Sequence, residues 1–421
     1  MRILFVTQWF EPEPAFKGAS FAAALQARGH QVEVATAFPN YPGGKLYAGY
    51  RMRPYQRETI DGLAVHRLAL WPSHDRSSAG RIANYVSFFI TTLTFGLLRA
   101  SRYDLVYVYH PPVTPAAAAA IYCALYRKPL VVEIQDLWPD SVGASGMAGA
   151  RTTRLLGRIC DFVYRRAAMI IPQSSSMLER LRGRGVAAEK MRRIYNWATY
   201  RPGAPEQDVH LLDPVAAAFR GRFNVVYGGN LGQAQALEDV IDAIAQVGAD
   251  HPNAHLHVFG GGIERQALAD HAARVAVDHV TFHGLVDRTA MDRVFDRADL
   301  LIVQLKDDPL YALTIPSKVQ HYLACGRPIV AGLTGEAADL LRQSGAAIVC
   351  PPQDVTAIAS AICRVLTMSA SERQAAGERG RRFYNDHLGF ARAIDETVEV
   401  INEAAARHAM ARGASAIRSA R

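Results

Sequence analysis

Cysteine is scarce in this 421-residue sequence and follows no recognisable pattern. The five cysteines stand singly among apolar residues, and no two are spaced as CxxC. We therefore expect neither a disulfide framework nor a zinc site, and a reducing cytosol fits better than an oxidising compartment. The cysteines are Cys123, Cys160, Cys325, Cys350 and Cys363.

A secretion signal, a short repeat and a nucleic-acid motif are also missing. The opening MRILFVTQWFEPEP has too short an apolar run, and becomes acidic too early, to predict a signal peptide. Few aromatic residues are interleaved with the basic ones, so we expect no nucleic-acid partner. Half of the residues are hydrophobic, which excludes a disordered chain, and the length suits two globular domains.

Acidic residues are few in the first half of the chain. Residues 1–201 contain 26 lysines and arginines against 13 acids, a net charge of +13, whereas residues 202–421 contain 21 against 26, a net charge of −5. Most of the surplus lies in residues 151–201, which hold twelve bases and three acids. This asymmetry indicates that the first half faces an anionic partner, and a membrane surface or a phosphorylated lipid suits it.

Short apolar segments alternate with helical patterns through the first half. The apolar segments show no polar alternation, which predicts a parallel sheet covered by helices on both faces. The predicted strands are RILFVTQWF, QVEVATAF, DLVYVYH, LVVEIQ, MIIPQS and MRRIYN, with a hairpin around TIDGLAVHRL, and the predicted helices cover residues 18–29, 81–101, 113–127, 150–168 and 175–184.

The same alternation returns after WATYRPGAPEQD, which reads as a linker. We therefore predict an α/β protein of two doubly wound domains in tandem, 1–201 and 202–388, with a cleft between them and a last helix without a following strand in 389–421. The strands predicted in the second half are FNVVYGGN, LHVFGGG, VTFHG, DLLIVQL, PIVAG and AAIVC, and the helices cover residues 236–248, 264–274, 289–297, 316–325, 336–343, 354–367, 370–387 and 390–411.

Glycine-rich loops follow the first two strands of the second domain. In GGNLGQAQ, Gly229 and Gly232 would let backbone N–H groups approach an anion, and Asn230 adds a polar side chain. FGGGI follows the next strand, and HGLVDR could hold a nucleotide base through its backbone. Tight connections without a ligand explain all three loops equally well.

The stretch YALTIPSKVQHYLACGRPIVAG places a lysine at the mouth of a helix. Pro316 suits the first turn, Ser317 can cap it, and Lys318 adds a full positive charge where the helix already carries partial positive charge. A diphosphate would resolve this repulsion. The alternatives are that Lys318 points into solvent or pairs with Asp307 or Asp308.

Several motifs together resemble bacterial family-4 glycosyltransferases, in particular the WcaI- and WbuB-like group of colanic-acid, O-antigen and exopolysaccharide assembly. The resemblance covers nearly the whole chain in the right order. It implies a GT-B fold, in which the first domain takes the acceptor, the second takes the nucleotide sugar, and the terminal helix crosses back to the first domain. It also implies retention of anomeric configuration and no metal requirement. The motifs are EPEPAFKG, PNYPGGKLYAGY, IQDLWPD, YGGNLGQAQALEDV and IPSKVQHYLACGRPIVAG.

The sequence departs from this family in its donor-side residues. Many relatives carry two glutamates eight positions apart, but the matching positions here are Leu313 and His321. The frequent phosphate-binding lysine after the first strand of the second domain is replaced by Gln235. These losses increase the role expected of Lys318, and Asp308 becomes a candidate for contacts to the donor.

Candidate acceptor-side residues follow two strands of the first domain. Asp136 matches the position of a catalytic or positioning group in the related enzymes, next to Gln135, although a helix-capping role is the alternative. His110 ends another strand at the same edge, where a lone histidine is more often structural. The resemblance also places Gly18 in a loop that approaches the donor phosphates, but it could simply begin a helix.

The function predicted from these features is transfer of a sugar from a UDP- or GDP-sugar to a lipid-diphosphate-linked saccharide, without a cofactor. The alternatives are a GT-B-fold sugar-nucleotide epimerase, or a nucleotide-sugar-binding subunit of a polysaccharide assembly complex. Release of free nucleotide on adding acceptor separates these three.

The apolar segment 82–98, IANYVSFFITTLTFGLL, indicates where in the cell the protein works. It is short for a membrane span, and a fully buried helix is one alternative. Its apolar residues lie nearly all round, however, and the basic segment 151–201 belongs to the same domain. We therefore expect a peripheral protein on the cytoplasmic face of the inner membrane, docked by its first domain.

Overall fold

The computed structural model describes residues 1–73, 78–140, 149–199, 213–276 and 278–419. The chain divides into two compact units. The N-terminal unit comprises Met1–Ile194 and Ile394–Arg421, and the C-terminal unit comprises Tyr195–Ala393. The predicted linker falls largely within residues 200–212, which lie outside the described residues, and the units part between Ile194 and Tyr195, before the predicted boundary at residue 201.

The N-terminal unit is built on a seven-stranded sheet. Its strands are β1 (Arg2–Val6), β2 (Gln31–Ala37), β3 (Tyr55–Ile60), β4 (Leu63–Leu68), β5 (Leu105–His110), β6 (Leu130–Ile134) and β7 (Met169–Pro172). They lie in the order β3–β4–β2–β1–β5–β6–β7, and every pairing is parallel except that of β3 with β4. The chain runs outward in opposite directions from β1 and β5, and ligands of doubly wound sheets bind beyond the carboxyl ends of such a strand pair.

Helices connect these strands and cover the sheet. They are α1 (Ala19–Ala27), α2 (Ser78–Arg99), α3 (Val113–Tyr126), α4 (Ala150–Arg166) and α5 (Ser175–Gly183). Helices α2 and α3 pack closely because Gly96 has no side chain: a Cβ there would lie 2.0 Å from the ring of Tyr122. Phe88 and Phe95 of α2 are buried in the same core.

The C-terminal unit has a six-stranded, wholly parallel sheet in the order β10–β9–β8–β11–β12–β13. Its strand order reverses between β8 and β11, so the loops after these two strands mark its expected ligand edge. Its elements are α6 (Asp213–Phe219), β8 (Phe223–Gly228), α7 (Leu237–Asp250), β9 (Ala254–Phe259), α8 (Arg265–Val275), β10 (Val280–Gly284), α9 (Arg288–Asp296), β11 (Leu300–Gln304), α10 (Pro309–Ala312), α11 (Ser317–Cys325), β12 (Ile329–Gly332), α12 (Gly335–Ser344), β13 (Ala347–Cys350), α13 (Val355–Leu366) and α14 (Ala370–His387).

A long final helix, α15 (Phe390–Ser419), begins in the C-terminal unit and belongs to the N-terminal unit from Ile394 onward. Within that unit Asp395 Oδ1 accepts a hydrogen bond from Arg28 Nε at 2.6 Å, and His408 Nε2 donates to the Arg127 carbonyl at 2.6 Å. Both contacts attach the helix to the sheet-bearing part of the N-terminal unit.

The predicted doubly wound α/β architecture is confirmed, but one predicted strand is wrong. MRRIYN forms only a single parallel bridge, from Met191 to Ile170. Backbone hydrogen bonds from Arg192 to Ile170 and from Ile194 to Pro172 hold it beside β7. The segment therefore lies against the sheet edge without continuing the ladder, and the strand pattern in its sequence reflects this contact.

One helix among the described residues, Ala79–Arg102, is long and apolar enough to cross a membrane by length and composition. Only 28% of its most apolar window is buried. It is not the fully buried helix that stood as one alternative, because Ile82, Val86 and Ile90 are each about half exposed on one face.

Candidate active site

The loops after β8 and β9 are joined by backbone hydrogen bonds at the ligand edge of the C-terminal unit. Gly229 N donates to the Phe259 carbonyl at 2.9 Å, and Leu231 N donates to the Gly261 carbonyl at 2.9 Å. A Cβ at Gly260, whose φ is 135°, would lie 1.8 Å from the Gly229 carbonyl oxygen. Glycine is therefore required there by the close approach of two backbones.

Gln235 organises the loop after β8. Its Oε1 accepts a hydrogen bond from Gly232 N at 3.0 Å and lies 3.4 Å from Asn230 Nδ2. Asn230 is exposed, and its carbonyl accepts a hydrogen bond from Tyr227 Oη at 2.7 Å. Of the residues predicted to contact the donor, the structure thus brings Gly229, Asn230, Gly232 and Gln235 together, with Gln235 shaping the loop.

Lys318 reaches from α11 to this same loop. A Cβ at Gly229 would lie 2.5 Å from Lys318 Cε, and Lys318 Nζ lies 5.0 Å from the centroid of the Tyr227 ring. Among the described residues Lys318 has neither a carboxylate within ion-pair distance nor a hydrogen-bond partner, which removes both the pairing with Asp307 or Asp308 and the solvent-pointing alternative. Burial lowers the pKa of Lys318 to about 8.

The helix that carries Lys318 begins one residue later than predicted. Pro316 is the N-cap, and no side chain caps the helix. Ser317 is the first helical residue, so its hydroxyl lacks the N-cap geometry that reaches the N–H groups of the next turn. The predicted capping role of Ser317 is therefore wrong. Val319 N donates to the Pro316 carbonyl at 2.9 Å, but no side chain caps this helix end, so an anion can still approach the N–H groups of Ser317 and Lys318.

His321 lies one turn beyond Lys318 and has an acidic partner. Its Nε2 is 2.9 Å from Oδ1 of Asp292, a residue of α9 that is only 3% exposed. Its ring also meets Phe295, which in turn lies against Gly228. A histidine–aspartate pair therefore stands at one of the two positions where the resemblance implies a glutamate. The other position, Leu313, lies in the loop before α11.

The Asp307–Asp308 pair lies exposed after β11. Asp307 N donates to Gln353 Oε1 at 3.0 Å, and the Asp308 carbonyl accepts hydrogen bonds from Tyr311 N and Ala312 N. The pair thus shapes the turn into α10. Its carboxylates face solvent at the same edge of the sheet as Lys318, and no group of three metal-ligating side chains occurs among the described residues.

In the N-terminal unit an internal carboxylate occupies the start of α1. Glu11 Oε1 accepts a hydrogen bond from Ala19 N at 2.9 Å, and a Cβ at Gly18 would lie 2.0 Å from that oxygen. Gly18 is therefore required by Glu11. The prediction that Gly18 admits a donor phosphate stays a prediction, and it requires Glu11 to move away from the helix end.

A buried ion pair lies beneath this loop. Lys17 Nζ pairs with Glu133 Oε2, which also accepts a hydrogen bond from Tyr107 Oη, and the lysine and the glutamate are each 2% exposed. Glu133 Oε1 accepts from Gln135 Nε2 at 2.6 Å. Burial lowers the pKa of Lys17 and raises that of Tyr107 well above its ordinary value. Gln135 is thus held by the glutamate and serves to order this edge.

His110 is the last residue of β5, and Asp136 follows the neighbouring strand β6. His110 is fully buried against the Trp138 ring, and burial lowers its pKa to about 4. Neither of its ring nitrogens has a hydrogen-bond partner among the described residues. A buried polar atom normally has a partner, so this neutral imidazole is an exception, and the catalytic role predicted for His110 stays a prediction.

Asp136 is exposed, and its side chain has no hydrogen-bond partner among the described residues, so the capping alternative finds no support there. The surrounding protein nevertheless desolvates its carboxylate and raises its pKa. Tyr85 of α2 and Tyr109 of β5 lie close enough to feel its charge. An accessible carboxylate of raised basicity at a strand end can accept a proton from a bound hydroxyl.

Comparison with known proteins identifies the two units. The sequence model of a "Glycosyl transferase 4-like domain" matches residues 19–197, and that of "Glycosyl transferases group 1" matches residues 222–368. The chain is a glycosyltransferase. A relative, the "Putative colanic acid biosynthesis glycosyl transferase WcaI" of Escherichia coli (strain K12), is 27% identical over 363 residues, which cover 82% of this chain and 86% of the relative.

Solved structures show that this glycosyltransferase has the GT-B fold. Anabaena HepE, crystallised in complex with UDP-glucose, superimposes with a TM-score of 0.68 at 17% identity, covering 96% of this chain and 99% of that one. WaaG, a glycosyltransferase involved in lipopolysaccharide biosynthesis, gives a TM-score of 0.63 at 14% identity, covering 95% and 99%.

The sequence did not reveal several side chains that shape the ligand-facing ends of the two sheets in this glycosyltransferase. Asp292 was not predicted because its pairing with His321 joins two separate helices. Tyr322 was missed as well, although its hydroxyl accepts a hydrogen bond from Gly228 N at 3.1 Å. Lys17 stood within the quoted EPEPAFKG motif, and its position beside a glycine was the one available signal.

Proposed function

We propose that this glycosyltransferase retains anomeric configuration and moves a sugar from a UDP- or GDP-sugar to a lipid-diphosphate-linked saccharide. The pathway class is exopolysaccharide, O-antigen or colanic-acid assembly. The names of WcaI and WaaG support the pathway class, and the UDP-glucose complex of HepE supports a nucleotide-sugar donor. The observation that carries the proposal is Lys318, a half-buried cation beside a glycine-rich loop and without a carboxylate partner among the described residues.

The donor diphosphate would bind between Lys318, the first turn of α11 and the loop Gly228–Gly232. An ammonium group without an acidic partner is costly to bury, and a diphosphate supplies the missing charge. When the bond between the anomeric carbon and the diphosphate oxygen breaks, negative charge develops on the leaving phosphate. Lys318 and the open N–H groups of α11 would stabilise that charge without reorganisation.

The nucleobase would bind at the loops after β9 and β10. Leu285 is 86% exposed and Ile263 is 79% exposed, although both are apolar. Leu285 Cγ lies 3.5 Å from the position that a Cβ of Gly261 would occupy. An exposed apolar side chain above a glycine backbone makes a slot for a flat ring. His321, fixed by Asp292, would provide a polar contact to the donor in place of the missing glutamate, and Asp308 a further one.

The acceptor would bind at the carboxyl edge of the N-terminal sheet. Its hydroxyl oxygen bonds to the anomeric carbon as the diphosphate leaves, and the hydroxyl proton must go to a base. Asp136 is proposed as that base or as the group that orients the hydroxyl. His110, buried beside Trp138, would support this edge from beneath, and Gln135 would order it. No cofactor is required by this chemistry.

A peripheral position on the cytoplasmic face of the inner membrane is part of the proposal. Half-exposed apolar residues line one face of α2, and the exposed face of α4 carries Arg151, Arg154 and Arg158 beside Leu155, which is 58% exposed. Exposed apolar and basic side chains on helices of one unit together favour an anionic membrane surface, where a lipid-linked acceptor is met.

Lys318→Ala tests the donor site. We expect it to weaken binding of UDP- and GDP-sugars by about 1.5–3 kcal/mol, the scale of a charge-assisted hydrogen bond, without changing the melting temperature. Because the pKa of Lys318 is about 8, donor affinity should also fall as the pH rises above 8, and the variant should lose that dependence. Calorimetric titration with a panel of donors measures both.

Two variants control this titration. Lys318→Arg keeps the charge and should retain more affinity than the alanine variant. Lys306→Ala removes an exposed lysine from the loop after β11 and should have the smaller effect. Equal affinity of wild type and Lys318→Ala would refute the donor site. Nucleotide release that needs no acceptor, or no release at all, would favour the epimerase or the binding subunit.

A further inference from the structure

A cavity of about 860 Å³ opens at the amino ends of the strands of the N-terminal sheet, opposite the proposed acceptor site. It lies where β6 and β7 begin, whereas His110 and Asp136 lie at the carboxyl ends of β5 and β6. The last turns of α3 and α4, the segment around Lys190 and one face of α15 form its walls. A five-residue strand spans roughly 17 Å, so this cavity is separate from the proposed acceptor site.

The wall of this cavity is strongly basic. It contains six lysines and arginines and one acid, Glu189. Such a ratio in a concave site favours an anionic ligand, because like charges held together repel until a counter-charge arrives. The basic residues are Arg127, Lys128, Arg165, Arg166, Lys190 and Arg407.

Five of these six cations lack a protein counter-ion among the described residues. No carboxylate there lies within ion-pair distance of Arg127, Lys128, Arg165, Arg166 or Lys190. By contrast, Arg407 pairs with Glu403 at 2.5 Å. Lys190 Nζ donates a hydrogen bond to the Arg165 carbonyl at 3.1 Å, so the Lys190 side chain satisfies one carbonyl at the end of α4. The free positive charge is therefore concentrated on the side of the cavity formed by the ends of α3 and α4.

Arg127 occupies a position where an arginine has a conformational cost. It ends α3 with φ 50° and ψ 52°, the left-handed conformation that glycine adopts most easily at this helix position. A strained residue that is not glycine is a reason to look for a function of its side chain. Here the side chain places a guanidinium group on the cavity wall.

Exposed apolar side chains lie on the helices that form this cavity and on the neighbouring helix α2. Ile121 and Leu125 of α3 are 39% and 64% exposed, and their positions adjoin the helix face that lines the cavity. Leu98 of α2 and Met410 of α15 are each 74% exposed. A soluble phosphate would gain nothing from these apolar side chains, whereas an amphiphile with an anionic head would bury them.

We propose that the cavity binds the phosphate head group of an anionic phospholipid, with the acyl chains lying against α2 and α3. The inference rests on the proposed membrane location and adds a specific head-group site to it. A bound lipid would fix the rotation of the N-terminal unit on the bilayer, because the exposed apolar face of α2 runs from Ile82 to Leu98 between the catalytic edge and this cavity.

The test compares two triple variants that each lose three positive charges. Arg127→Gly/Lys128→Gln/Arg165→Gln changes the cavity. Arg220→Gln/Arg364→Gln/Arg382→Gln changes three exposed arginines of the C-terminal unit that have no ion-pair partner among the described residues. Each base near an anionic leaflet contributes up to about 1 kcal/mol, so the cavity variant should bind phosphatidylglycerol-containing vesicles roughly tenfold to a hundredfold more weakly.

Further arms of the experiment separate the lipid from other anions. Short-chain phosphatidylglycerol below its micelle concentration should bind the wild type and not the cavity variant, and inorganic phosphate should bind much more weakly. Arg127→Gly alone should keep or raise the melting temperature while weakening vesicle binding, since glycine relieves the left-handed strain.

Equal losses in the two triple variants would overturn the proposal, because they would indicate non-specific attraction. Inorganic phosphate binding as tightly as the short-chain lipid would overturn the lipid as occupant in favour of a soluble anion. UDP-sugar titration of the same proteins should be unchanged. A wild type that binds the lipid but no nucleotide sugar would contradict the proposed function and leave this inference standing.

Discussion

Lys17 and Glu133 are 116 residues apart in the sequence and form a buried pair in the structure. In the sequence Lys17 belongs to a loop and Glu133 is one polar residue in a buried strand, so neither suggests the other. Only the folded sheet shows that the loop before α1 lies over β6. By contrast, Lys318 could be predicted, because a lysine in the first turn of a helix is a local contradiction between charge and helix dipole.

At the residue scale, the first prediction concerns Asp136. Asp136→Asn keeps the size of the side chain and removes its ability to accept a proton. If Asp136 takes the acceptor proton, kcat should fall by about 100-fold to 10,000-fold while the dissociation constant of the donor stays unchanged. Steady-state kinetics with native membranes as acceptor, together with donor titration, measures the two effects separately.

The matched control is Asp140→Asn, in the same loop, because Asp140 already pairs with Arg180 at 3.2 Å at the surface. Its kinetics should stay close to those of the wild type. Normal turnover of Asp136→Asn would show that this carboxylate does not act on the acceptor. Loss of donor binding in the same variant would instead place it on the donor side.

At the scale of elements, most helices and strands could be predicted because buried parallel strands lack polar alternation and helices carry a 3.6-residue pattern. Two predictions are wrong because a contact with a distant residue, which a local sequence pattern does not contain, or a helix cap decides the structure there. MRRIYN has a strand-like composition, but only Met191 bridges to β7. The predicted start of α11 is one residue early because proline is common in the first turn of a helix, whereas Pro316 here is the N-cap.

The outer strands of the C-terminal sheet carry a histidine ladder that the sequence did not single out. His257 Nδ1 lies 3.0 Å from His283 Nε2, and His257 Nε2 lies 3.1 Å from Asn224 Oδ1. His255 lies between Thr281 and Arg222. Burial lowers the pKa of His255 and His283 to about 4 and that of His257 to about 2, and neighbouring His and Arg charges add to the effect at His255 and His257.

This ladder predicts acid sensitivity of the C-terminal unit. In the unfolded chain these histidines take up protons near pH 6.5, but in the folded unit they stay neutral until the pH approaches 4. The unfolded state therefore binds more protons between these values, and the free energy of unfolding should fall as the pH decreases from about 6.5 toward 4. Urea unfolding at several pH values measures the slope.

His257→Gln can keep hydrogen bonds to both neighbours and cannot be protonated, so it should reduce that slope. His387→Gln, at an exposed position near the end of α14, should leave the slope unchanged and serves as the control. A slope that is the same in His257→Gln and the wild type would mean that the acid sensitivity arises elsewhere in the chain.

At the scale of the whole molecule, the charge asymmetry between the two halves was visible in the sequence, but the surface it belongs to was not. The pattern of segment 82–98 could not distinguish a buried helix from an interfacial one, because apolar residues lie on all its sides. In the structure the helix is divided: Phe88 and Phe95 enter the core, and Ile82, Val86 and Ile90 stay outside. A monomeric protein rarely leaves such a strip uncovered without a use.

The last prediction tests that strip as the apolar half of the membrane contact. Ile82→Asn/Val86→Asn/Ile90→Asn should weaken binding to vesicles roughly a hundredfold, since each half-exposed side chain would contribute about 1 kcal/mol on entering the bilayer. The loss should occur with neutral and anionic vesicles alike and persist in high salt, whereas the charge-dependent part of binding should fall with salt.

The single variants Val86→Asn and Val275→Asn form a matched pair, because these valines are 48% and 44% exposed on helices of different units. Only the first should weaken binding. Equal effects of the two, or full vesicle binding by the triple variant, would remove α2 from the membrane contact and leave the basic residues to account for any attachment.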